Sequence, residues 1–321
     1  MPEALPPGEA PLPVKSVKSR APPRGTFQHT VSRLTASILL TLCSWAYGSD
    51  VRAGVLVYAV GDVAECGAAP ERSPAARTAR LIPADATVLV AGDTTYPTAD
   101  RATIARCYVP TWGRFRDHTY AVPGNHDYVG GSAADFLQYF GARTPGRTWF
   151  RALVGDWWII GLDSNLAGAQ LAEQQRWLQE QLEAIAGDRR CLLAMWHHPV
   201  VSTGLRRQDG ARMRPAWQAL DAAKADVVVN GHEHFYESFD PRDGAGHRQR
   251  DGIREFIVGT GGAHLYDLSV VRGYHSFARR YGVLELHLEQ DHYEYDFRTL
   301  DGRTHDAGAA QCRRSREGPL Q

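Results

Sequence analysis

The chain has 321 residues, 43% of them hydrophobic, with 36 basic and 36 acidic side chains. That length can build one large core or two ordinary ones. A formal net charge of zero excludes an overall basic field that would recruit nucleic acid or an anionic membrane.

The first fifty residues read as separate from the fold. Residues 1–25 carry Pro2, Pro6, Pro7, Pro11, Pro13, Pro22 and Pro23, a composition that stays disordered. Arg33 then precedes an apolar stretch, 34–47, too short to cross a bilayer comfortably but suited to a signal peptide. Ser44-Trp45-Ala46 offers small residues at the spacing of a cleavage site, and Ala46-Tyr47-Gly48 is a second choice. The expectation is a Pro-rich leader and signal peptide over 1–49. Its cleavage would leave an exported protein, periplasmic or secreted, without a transmembrane helix. Beyond the leader stand Cys66, Cys107, Cys191 and Cys312. An even count in an exported protein allows two disulfides in three possible pairings. The preferred pairing is Cys66–Cys107 with Cys191–Cys312. The first would tie neighbouring loops, and the second would hold the chain end to the core.

From Gly54 the chain alternates short apolar runs with helical segments. Five runs predict buried strands, and each ends in residues of chemical interest. Residues 55–60 lead into Gly61-Asp62, 87–91 into Gly92-Asp93-Thr94-Thr95-Tyr96, and 120–122 into Gly124-Asn125-His126-Asp127. Residues 191–196 lead into His197-His198-Pro199, and 227–229 into Gly231-His232-Glu233-His234. Between them, 157–162 predicts another strand. Over 170–186 the residues Leu171, Trp177, Leu178, Leu182 and Ile185 make an apolar stripe at helical spacing. Residues 253–258 predict a further buried strand. Strict alternation over 283–288 and 293–297 predicts an antiparallel hairpin with one wet face, which would put His287 and His292 toward solvent. After Leu300 the composition turns to Gly, Ala, Arg and Asp and reads as a tail over 301–321. Parallel-type strands early and alternating strands late argue for a layered α/β fold with mixed sheets.

Loops at the carboxyl ends of such strands converge on one crevice. Five of them here deliver Asp, Asn, His or Tyr. Hydrolysing a phosphate ester profits from two cations about 3.5–4 Å apart that clamp the attacking and leaving oxygens. Holding them so close needs an anionic bridge, which Asp93 can supply. Asp62 offers a second carboxylate, and Asn125 a neutral amide oxygen. His232 and His234, two apart in an extended segment, point the same way and can each reach a different ion. His197 completes the set.

These motifs resemble the calcineurin-like metallophosphoesterase superfamily, in the order Asp, Gly-Asp, Gly-Asn-His-Asp/Glu, His and Gly-His-x-His. The resemblance covers the folded region, taken as 50–300, and implies an αββα sandwich of two mixed β-sheets with a dinuclear site at the strand ends. Most of the superfamily has Asp-x-His at its first motif, but here Asp62-Val63-Ala64 lacks that histidine. Tyr96 follows Asp93 in a Gly-Asp-x-x-Tyr arrangement instead, similar to purple acid phosphatases. The resemblance then implies Asp62, Asp93, Tyr96 and His234 for one metal and Asp93, Asn125, His197 and His232 for the other. The implied pair is Fe(III) beside Fe(II), Zn(II) or Mn(II). It further implies His126 as the group that protonates the leaving oxygen, with Asp127 orienting it. His198, Arg206, Arg207 and His264 are candidate substrate or supporting residues. Where purple acid phosphatases place a further histidine, this chain has Arg206 and Arg207, whose forks suit phosphate oxygens. The expected activity is hydrolysis of phosphate monoesters, on a phosphorylated small molecule, by attack of a metal-bound hydroxide. The alternatives are a phosphodiesterase or nucleotide hydrolase on the same site, and a non-catalytic metal- or phosphate-binding protein.

Overall fold

A computed structural model describes residues 54–67, 69–128, 130–142, 146–206, 208–267, 273 and 275–314. The expected leader and signal peptide lie outside the described residues.

The apolar run of β1 (Val55–Val60) pairs in parallel with β3 (Thr87–Ala91), which pairs in parallel with β5 (Thr119–Val122). The late segments join the same sheet. β13 (Gly282–Leu288) lies antiparallel to β1, β14 (His292–Thr299) beside β13, and β15 (Thr304–Gln311) at the edge. A seven-stranded sheet runs β12 (Ser276–Ala278), β10 (Tyr236–Ser238), β11 (Arg254–Val258), β9 (Val227–Asn230), β8 (Cys191–Met195), β7 (Trp157–Gly161) and β6 (Phe150–Val154). Its four middle strands are parallel and its flanks antiparallel. A short parallel pair, β2 (Ala64–Glu65) and β4 (Thr95–Tyr96), ties the loops after β1 and β3.

Strand alternation sorts the core into three layers. Val57, Ala59, Leu89 and Ala91 point inward and meet Leu193, Met195, Val227 and Val229 between the two sheets. Tyr58, Val60, Val88 and Val90 point the other way, toward α1 (Pro74–Ala79), the turn α2 (Arg101–Thr103) and α3 (Ala134–Phe140). Leu192, Ala194 and Val228 pack under α4 (Gly168–Ala184) and α5 (Arg214–Ala222). The architecture is therefore an αββα sandwich of two mixed sheets. In α4 the expected stripe buries Leu178 and Leu182, while Trp177 is only partly covered.

Two expectations change. The hairpin forms, and His287 and His292 both reach solvent as expected, but β13 is otherwise buried on both sides because it lies inside the sheet, with Leu284, Leu286 and Leu288 in the middle core and Val283 against the helices. The segment after Leu300 is not a tail throughout. Its residues 304–311 pair with β14, and Asp306 is buried where it accepts the Tyr236 and Ser238 hydroxyls at 2.7 Å. Ladder bonds need no large side chains, so a Gly- and Ala-rich segment can still be a strand when a neighbour offers its edge.

Both cysteine pairs are those preferred. Cys66 is bonded to Cys107 and Cys191 to Cys312, with Cα–Cα distances of 5.4 and 5.6 Å. Cys191 opens β8, so the second bridge joins the chain end to the seven-stranded sheet. Among the described residues no helix is long and apolar enough to cross a membrane.

Candidate metal centre

Three of the parallel strands, β1, β3 and β9, end in sharp turns that carry a polar side chain into the crevice. Asp62, Asp93 and His232 have φ values of 57°, 54° and 72°, and Gly92 has 87°. Left-handed backbone at three non-glycine positions is strained, and such strain gathers at functional sites. The turns are also crowded. A Cβ on Gly92 would meet His197 at 2.5 Å, and one on Gly124 would meet Asp93 at 2.1 Å.

Two clusters result, and Asp93 belongs to both. In the first, the Tyr96 hydroxyl lies 2.5 Å from Asp62 Oδ1, 2.7 Å from Asp93 Oδ2 and 3.0 Å from His234 Nε2. His234 Nε2 is 3.2 Å from Asp62 Oδ1. In the second, His197 Nε2 stands 3.3 Å from Asp93 Oδ2 and 3.2 Å from Asn125 Oδ1. Asn125 Oδ1 also faces His232 Nδ1 at 3.1 Å.

The far nitrogens of the three imidazoles are already engaged by oxygen acceptors. His197 Nδ1 donates to Ala91 O (2.8 Å), His234 Nδ1 to His264 O (2.7 Å), and His232 Nε2 to Asp209 Oδ2 (2.9 Å). In a neutral imidazole that leaves the other nitrogen bare and turned toward further acceptors. Bare nitrogens facing carboxylate and amide oxygens repel unless a cation lies among them. Burial lowers the His197 pKa, yet the Asp93 carboxylate outweighs it and lifts it to about 9, so a proton serves as that cation in the metal-free protein. Burial and both carboxylates hold the Tyr96 phenol well above its usual range. Carboxylate, phenol, amide and imidazole donors turned inward around shared acceptors fit two metal ions.

The remaining candidates fall around this centre. His126 exposes about a third of its side chain, donates from Nδ1 to Pro97 O at 2.6 Å, and holds Nε2 4.0 Å from Asp93 Oδ2. Asp127 does not orient it. Its carboxylate turns inward and accepts from the backbone N–H groups of Asp93 and Gly124, both at 2.8 Å, from Thr94 N at 3.1 Å, and from the Thr94 hydroxyl. Burial and the Asp93 charge raise it to about 6 against those bonds. His198 packs its ring 4.3 Å from that of His232, and its Nδ1 meets Ser164 Oγ at 2.8 Å. Burial pushes the His198 pKa down to about 3. Arg206 lies over the ring of Tyr266, which stacks on His234 at 4.1 Å. Arg207 lies outside the described residues. His264 supports the site through its carbonyl, while its side chain is exposed and 3.6 Å from Glu65. Asp209 and Tyr266 reach the centre without a sequence signal, since neither closes an apolar run, whereas Ser164 stands just after the predicted strand 157–162.

A model of the calcineurin-like phosphoesterase family matches residues 55–236, more than half of the chain. No curated protein sequence matches it. In fold the chain is similar to the GAP50 anchor of the inner membrane complex of Plasmodium. That likeness has a TM-score of 0.62 and 12% identity, and covers 81% of this chain and 89% of that one. Purple acid phosphatase PPD1 from yellow lupin seeds gives a TM-score of 0.61 at 16% identity, over 80% of this chain and 54% of the lupin enzyme. The chain thus spans about half of that relative's length. A dimetal phosphatase from Danio rerio gives 0.54 at 11% identity, over 81% of this chain and 99% of that one. These likenesses are likenesses of fold. The family match is broader in meaning, because it runs from β1 into β10 and contains every candidate ligand from Asp62 to His234; this chain belongs to the calcineurin-like phosphoesterase family.

Proposed function

We propose that the protein is a dinuclear metal-dependent phosphatase of the purple acid phosphatase type, acting on monoesters of a phosphorylated small molecule. The observation that carries this reading is the placement of the Tyr96 hydroxyl within 2.5–3.0 Å of Asp62, Asp93 and His234. One ion would be held by Asp62, Asp93, Tyr96 and His234, the other by Asp93, Asn125, His197 and His232. A phenolate favours a hard trivalent ion, so Fe(III) with Fe(II), Zn(II) or Mn(II) is the proposed pair. When bound, the ions would polarise the phosphoryl group and make hydroxide available near neutral pH.

The protein's own residues would do the rest. Asp93 spaces the two clusters, and Asp127 fixes the Asp93 turn through four donors. His126 has its Nδ1 proton tied to a carbonyl, so its imidazolium form would hand the Nε2 proton to the leaving oxygen. Arg206, at the rim beside Tyr266, would meet phosphate oxygens with its guanidinium. We read residues 1–49 as a leader removed on export, with the catalytic domain following. Two disulfides accord with an oxidising compartment. An anchoring role, as named for the Plasmodium neighbour, would not require this donor set.

The test is a panel of phosphomonoesters, diesters and nucleotides with iron-replete protein. Monoester turnover that exceeds diester turnover supports the reading. Turnover of diesters alone replaces it with a phosphodiesterase, and no turnover with two ions bound replaces it with a binding protein.

A further inference from the structure

The segment after His198 is laced to the second sheet by three buried glutamates. Glu255 Oε1 accepts from Val200 N at 3.2 Å and Val201 N at 3.4 Å. Glu237 accepts from Ser202 Oγ at 3.3 Å, from Thr203 N at 3.2 Å and from the Thr203 hydroxyl. Glu233, between the two histidines, accepts from Arg206 N at 2.9 Å. All three side chains are fully buried. There is no room for a side chain at Gly204, whose Cβ would fall 2.2 Å from the Glu233 carboxylate. The arm is thus pinned along its length, and Asp209 N donates to Arg206 O at 2.9 Å just beyond it. That places Asp209 Oδ2 at 2.9 Å from His232 Nε2, although half of the Asp209 side chain is in solvent.

We infer that Asp209 is a positioning residue for the second metal: it fixes the proton of His232 on Nε2 and so keeps Nδ1 bare and turned toward Asn125. This rests on the dinuclear site proposed above. A metal-bound imidazole gains basicity and a fixed orientation when its other N–H meets a carboxylate, and losing that partner typically costs 10–100-fold in affinity. No other acceptor is paired with His232 Nε2 among the described residues. The ring of His198 packs alongside at 4.3 Å, and His197 lies 5.1 Å away. Neither imidazole replaces a carboxylate.

The experiment compares wild type, Asp209→Ala and Asp209→Asn, each stripped of metal. Zn(II) is titrated by calorimetry, and ¹⁵N imidazole shifts give the His232 tautomer of the metal-free proteins. Wild type should bind two ions and show His232 protonated on Nε2. Asp209→Ala should bind one ion as before and the other ~10–100-fold more weakly, with the tautomer preference lost. Asp209→Asn keeps an acceptor oxygen and should lose less. Two ions bound by Asp209→Ala with unchanged affinities, an equal loss at both sites, or an unchanged His232 tautomer would each overturn the inference. A wild type that takes fewer than two ions overturns the dinuclear reading and this inference with it. Two ions in wild type beside an unaffected variant overturn only the role of Asp209.

Discussion

Asp127 holds Asp93 by its backbone: its Oδ2 accepts the Asp93 N–H at 2.8 Å, while Asp93 Oδ2 faces Tyr96 and His197 and Asp93 Oδ1 accepts from His126 N. Removing that acceptor would strand several buried donors at once. Asp127→Ala is expected to destabilise the metal-free protein by roughly 3 kcal/mol or more, since each buried donor left unpaired costs about 1–3 kcal/mol. Urea unfolding of the metal-free variant checks it. A loss under 1 kcal/mol would mean that the Asp93 turn supports itself.

Because Asp93 faces both clusters, Asp93→Asn should bind fewer than two ions and show no turnover. His126→Ala should bind both and react ~10²–10⁴-fold more slowly, as expected for the loss of a general acid. Metal analysis beside steady-state rates separates the two effects. Full metal content and full activity in the Asp93 variant would exclude it as the bridge.

Colour reports on Tyr96. A phenolate bound to Fe(III) gives a charge-transfer band, so oxidised protein should be pink to violet, and Tyr96→Phe should bleach it while circular dichroism stays unchanged. An iron-replete protein that is colourless in both oxidation states would leave Tyr96 as a packing residue beside an ordinary divalent pair.

Stability should fall as pH rises from about 4 to about 8. Burial lifts Glu237 to about 7 and Glu255 to about 8, above the ~4.3 of an unfolded glutamate. A raised acid binds its proton in the folded state over a range where the unfolded chain has released it. Its stabilising contribution is therefore complete below pH ~4 and lost as pH climbs to about 8. Glu255→Gln keeps an acceptor for Val200 and Val201 and removes the charge. It should flatten the decline between pH 5 and about 8 in denaturant unfolding of metal-free protein. An unaltered slope would show that Glu255 is ionised at no cost.

Reduction should matter more at one bridge than at the other. Cys191–Cys312 closes 121 residues and Cys66–Cys107 closes 41. On the chain-entropy account the longer loop stabilises more, by ~1 kcal/mol. Cys312→Ser should therefore lower the unfolding midpoint more than Cys66→Ser. The reverse order would put the difference in native contacts instead.

The ligand-bearing strands were legible because burial on both faces demands continuous apolar runs, and a glycine opens the turn behind four of the five runs, the exception being the one that ends at His197. Asp62, Asp93, Asn125, His197, His232 and His234 follow from that rule directly. β15 was illegible because a strand of Thr, Asp, Ala and Gly is recognised only by its neighbour β14. Asp127 was misplaced for a related reason. Adjacency to His126 suggested partnership, but a single 3₁₀ turn, Asn125–Asp127, sends the two side chains apart. Asp209 opens a short 3₁₀ turn ahead of α5 with no apolar run before it, so only three-dimensional proximity shows it.

The strand order has a consequence for biosynthesis. β1 stands between β3 and β13, so the first described strand to leave the ribosome waits for one that begins at Gly282 and pairs with it from Leu284 to Leu288. Until then its open edge exposes N–H and C=O groups together with inner-face valines, a template for wrong pairing. The last described residues then close the far end, where Cys312 meets Cys191 and Arg313 N donates to Asp226 at 2.6 Å. A polypeptide truncated before residue 282 would keep every candidate ligand and still lack the strand that completes its first sheet.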